Sequence, residues 1–307
     1  MNILVTGGAG FIGSHLVEWL VHQGHHVRVF DNFSSGSRKR FILNSEHVTI
    51  IEGDIRNFGE LQQATNGVEY VFHLAAMVSV LQSVEQPIEA EQINSLGSLH
   101  VLEAARQAKA KRVVMASSCA IYGNTTQVPT NETVEPDPLS PYATSKLAAE
   151  NLGRLYTRLY EAEAVSLRFF NVYGPRQDPN SPYAAVIPRF AQMLLHGQQP
   201  TIYGDGEQSR DFVFVGDIVG ALWAAATTPQ AAGQSLNVGT GVAVSIRELT
   251  TLIGEVLGIP VNPIYAPARS GEVRHSCADP SLLEQLTGFR PAMPLREGIA
   301  ATIDALR

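Results

Sequence analysis

Apolar and polar positions along this chain alternate between two periods. Short aliphatic and β-branched runs read as buried strands at Ile3 to Thr6, Val27 to Phe30, Val48 to Ile51, Tyr70 to Leu74, Arg112 to Ala116 and Val165 to Phe170. Helical spacing lies between them. Ile12, Leu16 and Leu20 form one stripe, closed by Gly24, and a long helical pattern runs from Pro87 to Gln107. Leu152, Leu155, Tyr156 and Leu159 give a further helix its core face; Ser140-Pro141 opens it, with serine as N-cap and proline at the first position. Strand and helix alternate through residue 170, which predicts an α/β fold with a doubly wound parallel sheet.

After Asn171 the texture changes. Gly174 to Tyr183 carries three prolines in ten residues, and shorter elements follow. Helices are expected near Ile187 to His196, Asp217 to Thr227 and Ser245 to Leu257, with strands near Thr201 to Tyr203, Asp211 to Val215 and Ser235 to Val238. The expected organisation is a nucleotide-binding domain over 1–171 and a second, smaller α/β lobe over 172–210 and 239–307 that caps the sheet's carboxyl edge. Phe212 to Val215 is apolar enough for 211–238 to return to the main sheet.

With 307 residues, 45% of them hydrophobic and 17% charged, the chain can bury a large core. Its net charge of −7 argues against a nucleic-acid partner. Cys119 and Cys277 are far apart and in no metal-like spacing, so neither a metal site nor a disulfide framework is expected, and a reducing cytosol is the expected compartment. A core strand begins at the N-terminus and no apolar run approaches 18 residues, so neither a secretion signal nor a membrane span is expected.

The candidate chemistry begins between the first strand and the first helix. Gly7, Gly10 and Gly13 stand at three-residue spacing there, GxxGxxG, and the helix start at Phe11-Ile12 offers backbone NH groups to a pyrophosphate. Asp31 ends the second strand, 18 residues after Gly13, where a carboxylate accepts from an adenosine ribose and repels a 2′-phosphate. NAD is therefore favoured over NADP, and Arg38-Lys39-Arg40 reads as a solvated charge run. Asp54, at the next strand end, either accepts from the adenine amino group or caps the following segment. Leu74-Ala75-Ala76 lets a cofactor lie against the backbone, and Asn94 either faces solvent or braces the site. Tyr142 and Lys146 lie one helical turn apart on one face. A phenol titrates near 10, but a neighbouring ammonium and a cationic nicotinamide favour its phenolate. Such a tyrosine exchanges protons near neutral pH, with Ser118 as partner on the same substrate oxygen.

These residues carry a resemblance over essentially the whole chain. Gly7/Gly10/Gly13, Asp31, Ser117-Ser118 before Tyr122-Gly123, and Tyr142-x-x-x-Lys146 resemble the extended short-chain dehydrogenase/reductase family. Leu167-Arg168-Phe169-Phe170-Asn171 with Gly174-Pro175 looks like the segment that meets nicotinamide and substrate in its nucleotide-sugar enzymes. Arg210-Asp211-Phe212 and Arg269-Ser270-Gly271-Glu272 resemble their nucleotide-diphosphate motifs. The combination is most similar to UDP-sugar 4-epimerases.

The resemblance implies a Rossmann sheet, tightly held NAD, a UDP-sugar substrate, and a homodimer through residues 87–107 and 141–160. It implies that Tyr142 deprotonates the sugar 4-hydroxyl, with Lys146 on the nicotinamide ribose and Ser118 on the substrate. Asn32, Ile55, Asn94, Ser117 and Phe169 join the cofactor contacts. Arg210 and Arg269 grip the diphosphate, Glu272 the uridine ribose, and Asn171 a phosphate or sugar oxygen. Ser79, Ala185, Val186, Tyr203 and Ser276 complete the substrate pocket. Two departures stand out. Cys119 follows Ser118 where a third hydroxyl is frequent, and Cys119-Ala120 stands where the related 4,6-dehydratases carry an acid pair. At the wall position, Ser276 in place of a tyrosine leaves room for a 2-acetamido group, as does Ala184-Ala185 at the other wall.

Overall fold

The computed structural model describes residues 1–37, 46–179, 186–268 and 273–307. Its strands are β1 (Asn2–Thr6), β2 (His26–Asp31), β3 (Val48–Glu52), β4 (Tyr70–His73), β5 (Arg112–Ser118), β6 (Ala164–Phe169), β7 (Asn171–Tyr173), β8 (Thr201–Tyr203), β9 (Ser209–Phe214), β10 (Ser235–Val238), β11 (Ala243–Ser245), β12 (Ile264–Ala266) and β13 (His275–Ser276). Its helices are α1 (Phe11–His22), α2 (Phe58–Thr65), α3 (Val80–Glu85), α4 (Pro87–Glu91), α5 (Gly97–Gln107), α6 (Pro141–Tyr160), α7 (Val186–Leu195), α8 (Val215–Thr227), α9 (Ile246–Leu257), α10 (Ser281–Thr287) and α11 (Leu295–Asp304).

The main sheet is parallel throughout, in the order β10-β6-β5-β4-β1-β2-β3. Helices cover both faces. Leu16 and Leu20 of α1 pack with Ile218 and Leu222 of α8 on one face, while Leu61 of α2, Leu102 of α5 and Ala149 of α6 fill the other. Strands buried on both faces need no polar alternation, which is why Ile3 to Val5 of β1 read as a continuous apolar run; β6 is buried along its whole length as well, although it carries Ser166 and Arg168. The expected doubly wound architecture is thus observed.

Three local expectations are revised. The pattern from Pro87 to Gln107 is a helix interrupted by a π turn at Gln92–Leu96, which separates α4 from α5. Second, β9 does not return to the main sheet. It joins β7, β11 and β13 in a separate sheet, because the edge beside β6 is taken by β10. The polar groups of β9 find their partners there: Asp211 accepts from Thr240, Gly241 and Ala278. Of the span 211–238, it is α8 and β10 that build the main unit. Third, Leu283 of α10 lies in the core beneath the main sheet rather than in the second lobe. That lobe has its own core of Tyr173, Ile187, Phe190, Leu249, Ile253 and Ile299.

Candidate active site

The loop after β1 is shaped for close backbone approach. Gly7 has φ +68°, and a Cβ there would lie 2.5 Å from Ala75 N. A Cβ on Gly13 would lie 2.2 Å from Gly7 O, so the first turn of α1 packs directly on the loop. Gly10 is the N-cap of α1 and contributes no side chain to its first turn. The NH groups of Phe11, Ile12 and Gly13 at that start have no intrahelical acceptor, the arrangement that binds a phosphate. Asp31 stands beside this loop at the end of β2, its oxygens accepting from Ala9 N at 2.9 Å and Phe33 N at 2.8 Å. The remaining carboxylate lone pairs suit ribose hydroxyls. These residues fit a dinucleotide.

Asp54 caps no helix, since Asn57 is the N-cap of α2. It accepts from Asn32 Nδ2 at 3.0 Å and from Arg56, whose hydrogen bonds hold its carboxyl down at about 2. Ile55 packs its side chain against Gly97 in the core, so it can meet a cofactor through its backbone only.

The sheet's carboxyl edge brings together the residues expected to carry the chemistry. Ser140 Oγ accepts from Ala143 N and Pro141 occupies the first turn, so α6 begins where expected. Ser83 Oγ accepts from Tyr142 N at 3.0 Å and seats that first turn. The Tyr142 phenol faces Ser118; burial pushes it up to about 12, against the pull of the serine. Lys146 Nζ donates to Ala116 O at 3.0 Å. Burial draws Lys146 down to about 8, opposed by the Glu150 carboxylate. Cys119 faces Ser276, and burial raises its thiol to about 11 against the pull of that serine, which removes it as a nucleophile.

The side chains of two residues expected among the cofactor contacts, Ser117 and Asn94, are engaged within the protein. Ser117 Oγ donates to Glu150 Oε1 at 2.5 Å. Asn94, 1% exposed, is spent within the protein: its Oδ1 accepts from Met77 N, and its Nδ2 donates to Met77 O and to Ser145 Oγ. Ser145 in turn donates to Tyr142 O. Asn94 therefore braces α6 from the π turn.

Behind it runs a relay with one consistent direction. Ser98 Oγ donates to Asn94 O, so it accepts from His73 Nε2–H at 2.9 Å. His73 Nδ1 then accepts from Thr6 Oγ1–H at 2.8 Å, and Thr6 Oγ1 accepts from Ala75 N. Burial, then the charge of Lys146, holds His73 neutral, with its imidazole down at about 3. This chain joins the glycine loop to the helix that carries Tyr142. His73 and Glu150 were missed in the sequence, although Glu150 lies on the Tyr142–Lys146 stripe and the helical period points to it.

Of the residues expected to meet the substrate, Arg210 and Ser276 are register partners between β9 and β13. Ser276 faces Cys119, the residue that follows Ser118 in the chain. Asn171 and Val186 are half-buried at the starts of β7 and α7, and Tyr203 ends β8. Phe169 ends β6 beside Ser118. Ser79 is not exposed: it is 3% accessible, and its hydroxyl accepts from Gln82 N as the N-cap of α3. Arg38-Lys39-Arg40, Ala184-Ala185, Arg269 and Glu272 lie outside the described residues. Among the described residues no His/Cys/Asp/Glu cluster could hold a metal. Arg176, with φ +67°, ties the Gly174–Gln177 segment to α1 through His15 and Glu18.

A profile of the NAD dependent epimerase/dehydratase family matches residues 3–239. The chain belongs to that family. It is 40% identical to a UDP-glucose 4-epimerase of Mycolicibacterium smegmatis, over 100% of this chain and 99% of that protein. Among solved structures it is similar to a UDP-glucose 4-epimerase of Thermotoga maritima with UDP-glucose, at TM-score 0.95 and 39% identity, covering 100% and 99% of the two chains. It is similar also to a UDP-N-acetylglucosamine 4-epimerase of Methanobrevibacter ruminantium in complex with UDP-N-acetylmuramic acid, at TM-score 0.96 and 39% identity, covering 99% and 97%.

Proposed function

We propose that this chain epimerises UDP-hexoses at C4. The observation that carries this reading is the convergence of Tyr142, Ser118 and Lys146 at the sheet edge above an uncapped, glycine-lined helix start. Tyr142 takes the proton of the sugar 4-hydroxyl while Ser118 holds the same oxygen. NAD, when bound on Gly7 to Gly13 and Asp31, supplies the hydride acceptor at C4 and the positive ring charge that draws the buried phenol down. After the 4-keto sugar turns in the pocket, Tyr142 returns the proton to O4. Lys146 holds the nicotinamide ribose. Arg210, and Arg269 beyond the described residues, grip the diphosphate.

The small Ser276 leaves room for an acetamido group without rejecting the smaller sugar, so UDP-GlcNAc/UDP-GalNAc and UDP-Glc/UDP-Gal are both substrates. Neither Cys119 nor Ala120 supplies the acid that water elimination needs, which disfavours a dehydratase.

The chain works as a homodimer. Leu81, Val84 and Ile88 on α3 and α4 are at least 60% exposed, as is Leu159 on α6, and these elements pack on one another; Leu155 and Leu159, expected on the core face of α6, are thus exposed, and Tyr156 is the buried member of that set. That apolar face suits a second copy of the same helices. Its compartment is the cytosol, consistent with two free thiols.

The test is incubation with a panel of UDP- and dTDP-sugars without added NAD(H), followed by product separation. C4 epimers are expected. Turnover only with stoichiometric NADH would mark a reductase, and loss of water or carbon dioxide would mark a dehydratase or decarboxylase.

A further inference from the structure

Tyr142, Lys146 and Glu150 stand at i, i+4 and i+8 on α6, one stripe of the helix. Each meets one of three consecutive residues at the end of β5. Tyr142 pairs with Ser118, Lys146 Nζ with Ala116 O at 3.0 Å, and Glu150 Oε1 with Ser117 Oγ at 2.5 Å. The first two rungs belong to the chemistry; the third does not.

Glu150 is 1% exposed and its carboxylate is fully engaged. Oε1 also accepts from Arg168 Nε at 3.0 Å. Oε2 accepts from Arg168 Nη2 at 2.8 Å and Ser235 Oγ at 3.0 Å. These donors sit on β5, β6 and β10, three adjacent strands. Arg168 is held in turn by Tyr122 OH at 2.7 Å, which donates to Asn237 Oδ1. A buried ion pair is a poor source of net stability, because desolvation offsets its attraction and an apolar pair does as well. What it does supply is one geometry.

We propose that Glu150 is a positioning residue for the reaction. It locks α6 to three strands in the register that sets the Tyr142 phenol against Ser118 and Lys146 against Ala116. It touches neither substrate nor cofactor and acts through those two side chains. Its charge also faces Lys146, the ammonium it favours.

Glu150→Gln keeps the volume and removes the charge. Losing a carboxylate disfavours the Lys146 ammonium and favours the Tyr142 phenolate, and an unmatched Arg168 acts in the same sense. Both ionisations therefore move to lower pH. We expect kcat to fall by roughly tenfold or more, within the ~10²-fold that a misplacement of about 1 Å costs. KM for the UDP-sugar and NAD bound per chain stay unchanged, and the pH profile of kcat moves toward acid. Glu150→Asp keeps the charge and restores the profile while leaving kcat below wild type.

Because Glu150→Gln strands a buried guanidinium, Glu150→Gln/Arg168→Met removes both charges and guards against misfolding. It should stay folded and NAD-loaded with kcat still low. Wild-type kcat in either Gln variant overturns the proposal. So does a loss that only tracks the folded, NAD-loaded fraction with an unmoved pH profile. The inference rests on the epimerase reading: wild-type protein inactive on every sugar sinks that reading, whereas active wild type with an indifferent Glu150→Gln sinks this one alone.

Discussion

Replacing His73 with glutamine removes a titrating imidazole from the relay between Thr6 and Ser98, and the effect should appear as a change in acid stability. In the folded chain burial holds His73 down at about 3, against its ordinary 6.5. Protonation would turn Nδ1 into a donor facing the Thr6 hydroxyl, whose oxygen already accepts from Ala75 N. The unfolded chain takes up the proton near pH 6.5 and the folded chain refuses it until about pH 3, so the unfolded state binds more protons throughout that window. Stability therefore falls as pH falls, by about 1.4 kcal/mol per pH unit well inside the window. Between pH 6.5 and 4.5 the contribution is about 2–3 kcal/mol. Urea unfolding of wild type and His73→Gln at saturating NAD, at a series of pH values, isolates this term, because the acidic groups common to both cancel in the difference. The stability gap should narrow by that amount as pH drops from 6.5 to 4.5. Parallel curves across the window would refute the buried neutral imidazole.

Other outcomes follow from the site. Tyr142→Phe should keep the fold and NAD but lose epimerisation by ~10²-fold or more, the scale of general acid–base catalysis; near wild-type turnover would remove Tyr142 from the mechanism. Asp31, held by Ala9 N and Phe33 N, should repel a 2′-phosphate, so titrations should show NAD bound more tightly than NADP, and equal affinity would contradict this. Ser276→Tyr should suppress turnover of the N-acetylated pair while sparing UDP-Glc/UDP-Gal; if both pairs fall equally, or neither changes, Ser276 is not the gate.

The parts of this protein that were legible in the sequence are those specified locally. The glycine loop, the Ser140-Pro141 helix start and the Tyr142–Lys146 spacing each depend on a few neighbouring residues, and each appears where expected. What escaped depends on partners far along the chain. Phe212 to Val215 is apolar enough for either sheet; the choice is made by β10, which occupies the free edge, and by the Thr240, Gly241 and Ala278 groups that receive Asp211. Asn94 reads as solvent-facing or bracing until the π turn aims it at Met77 and Ser145. Ser117 and Ser118 are adjacent and chemically alike, and only the position of Glu150 tells the hydroxyl it holds from the one that faces Tyr142. Asp54 offered two readings, and the cap is excluded by Asn57, three residues on.

The central claim is that a hydride leaves C4, stays within the site and returns to the other face of the sugar. UDP-glucose carrying deuterium at C4 tests it directly, incubated with the NAD-loaded protein and an excess of unlabelled NADH in ordinary water. The account predicts UDP-galactose with the deuterium still at C4, and none in the water or in the added NADH. Epimer that has lost its label to solvent, or that carries hydrogen from the added NADH, would contradict it.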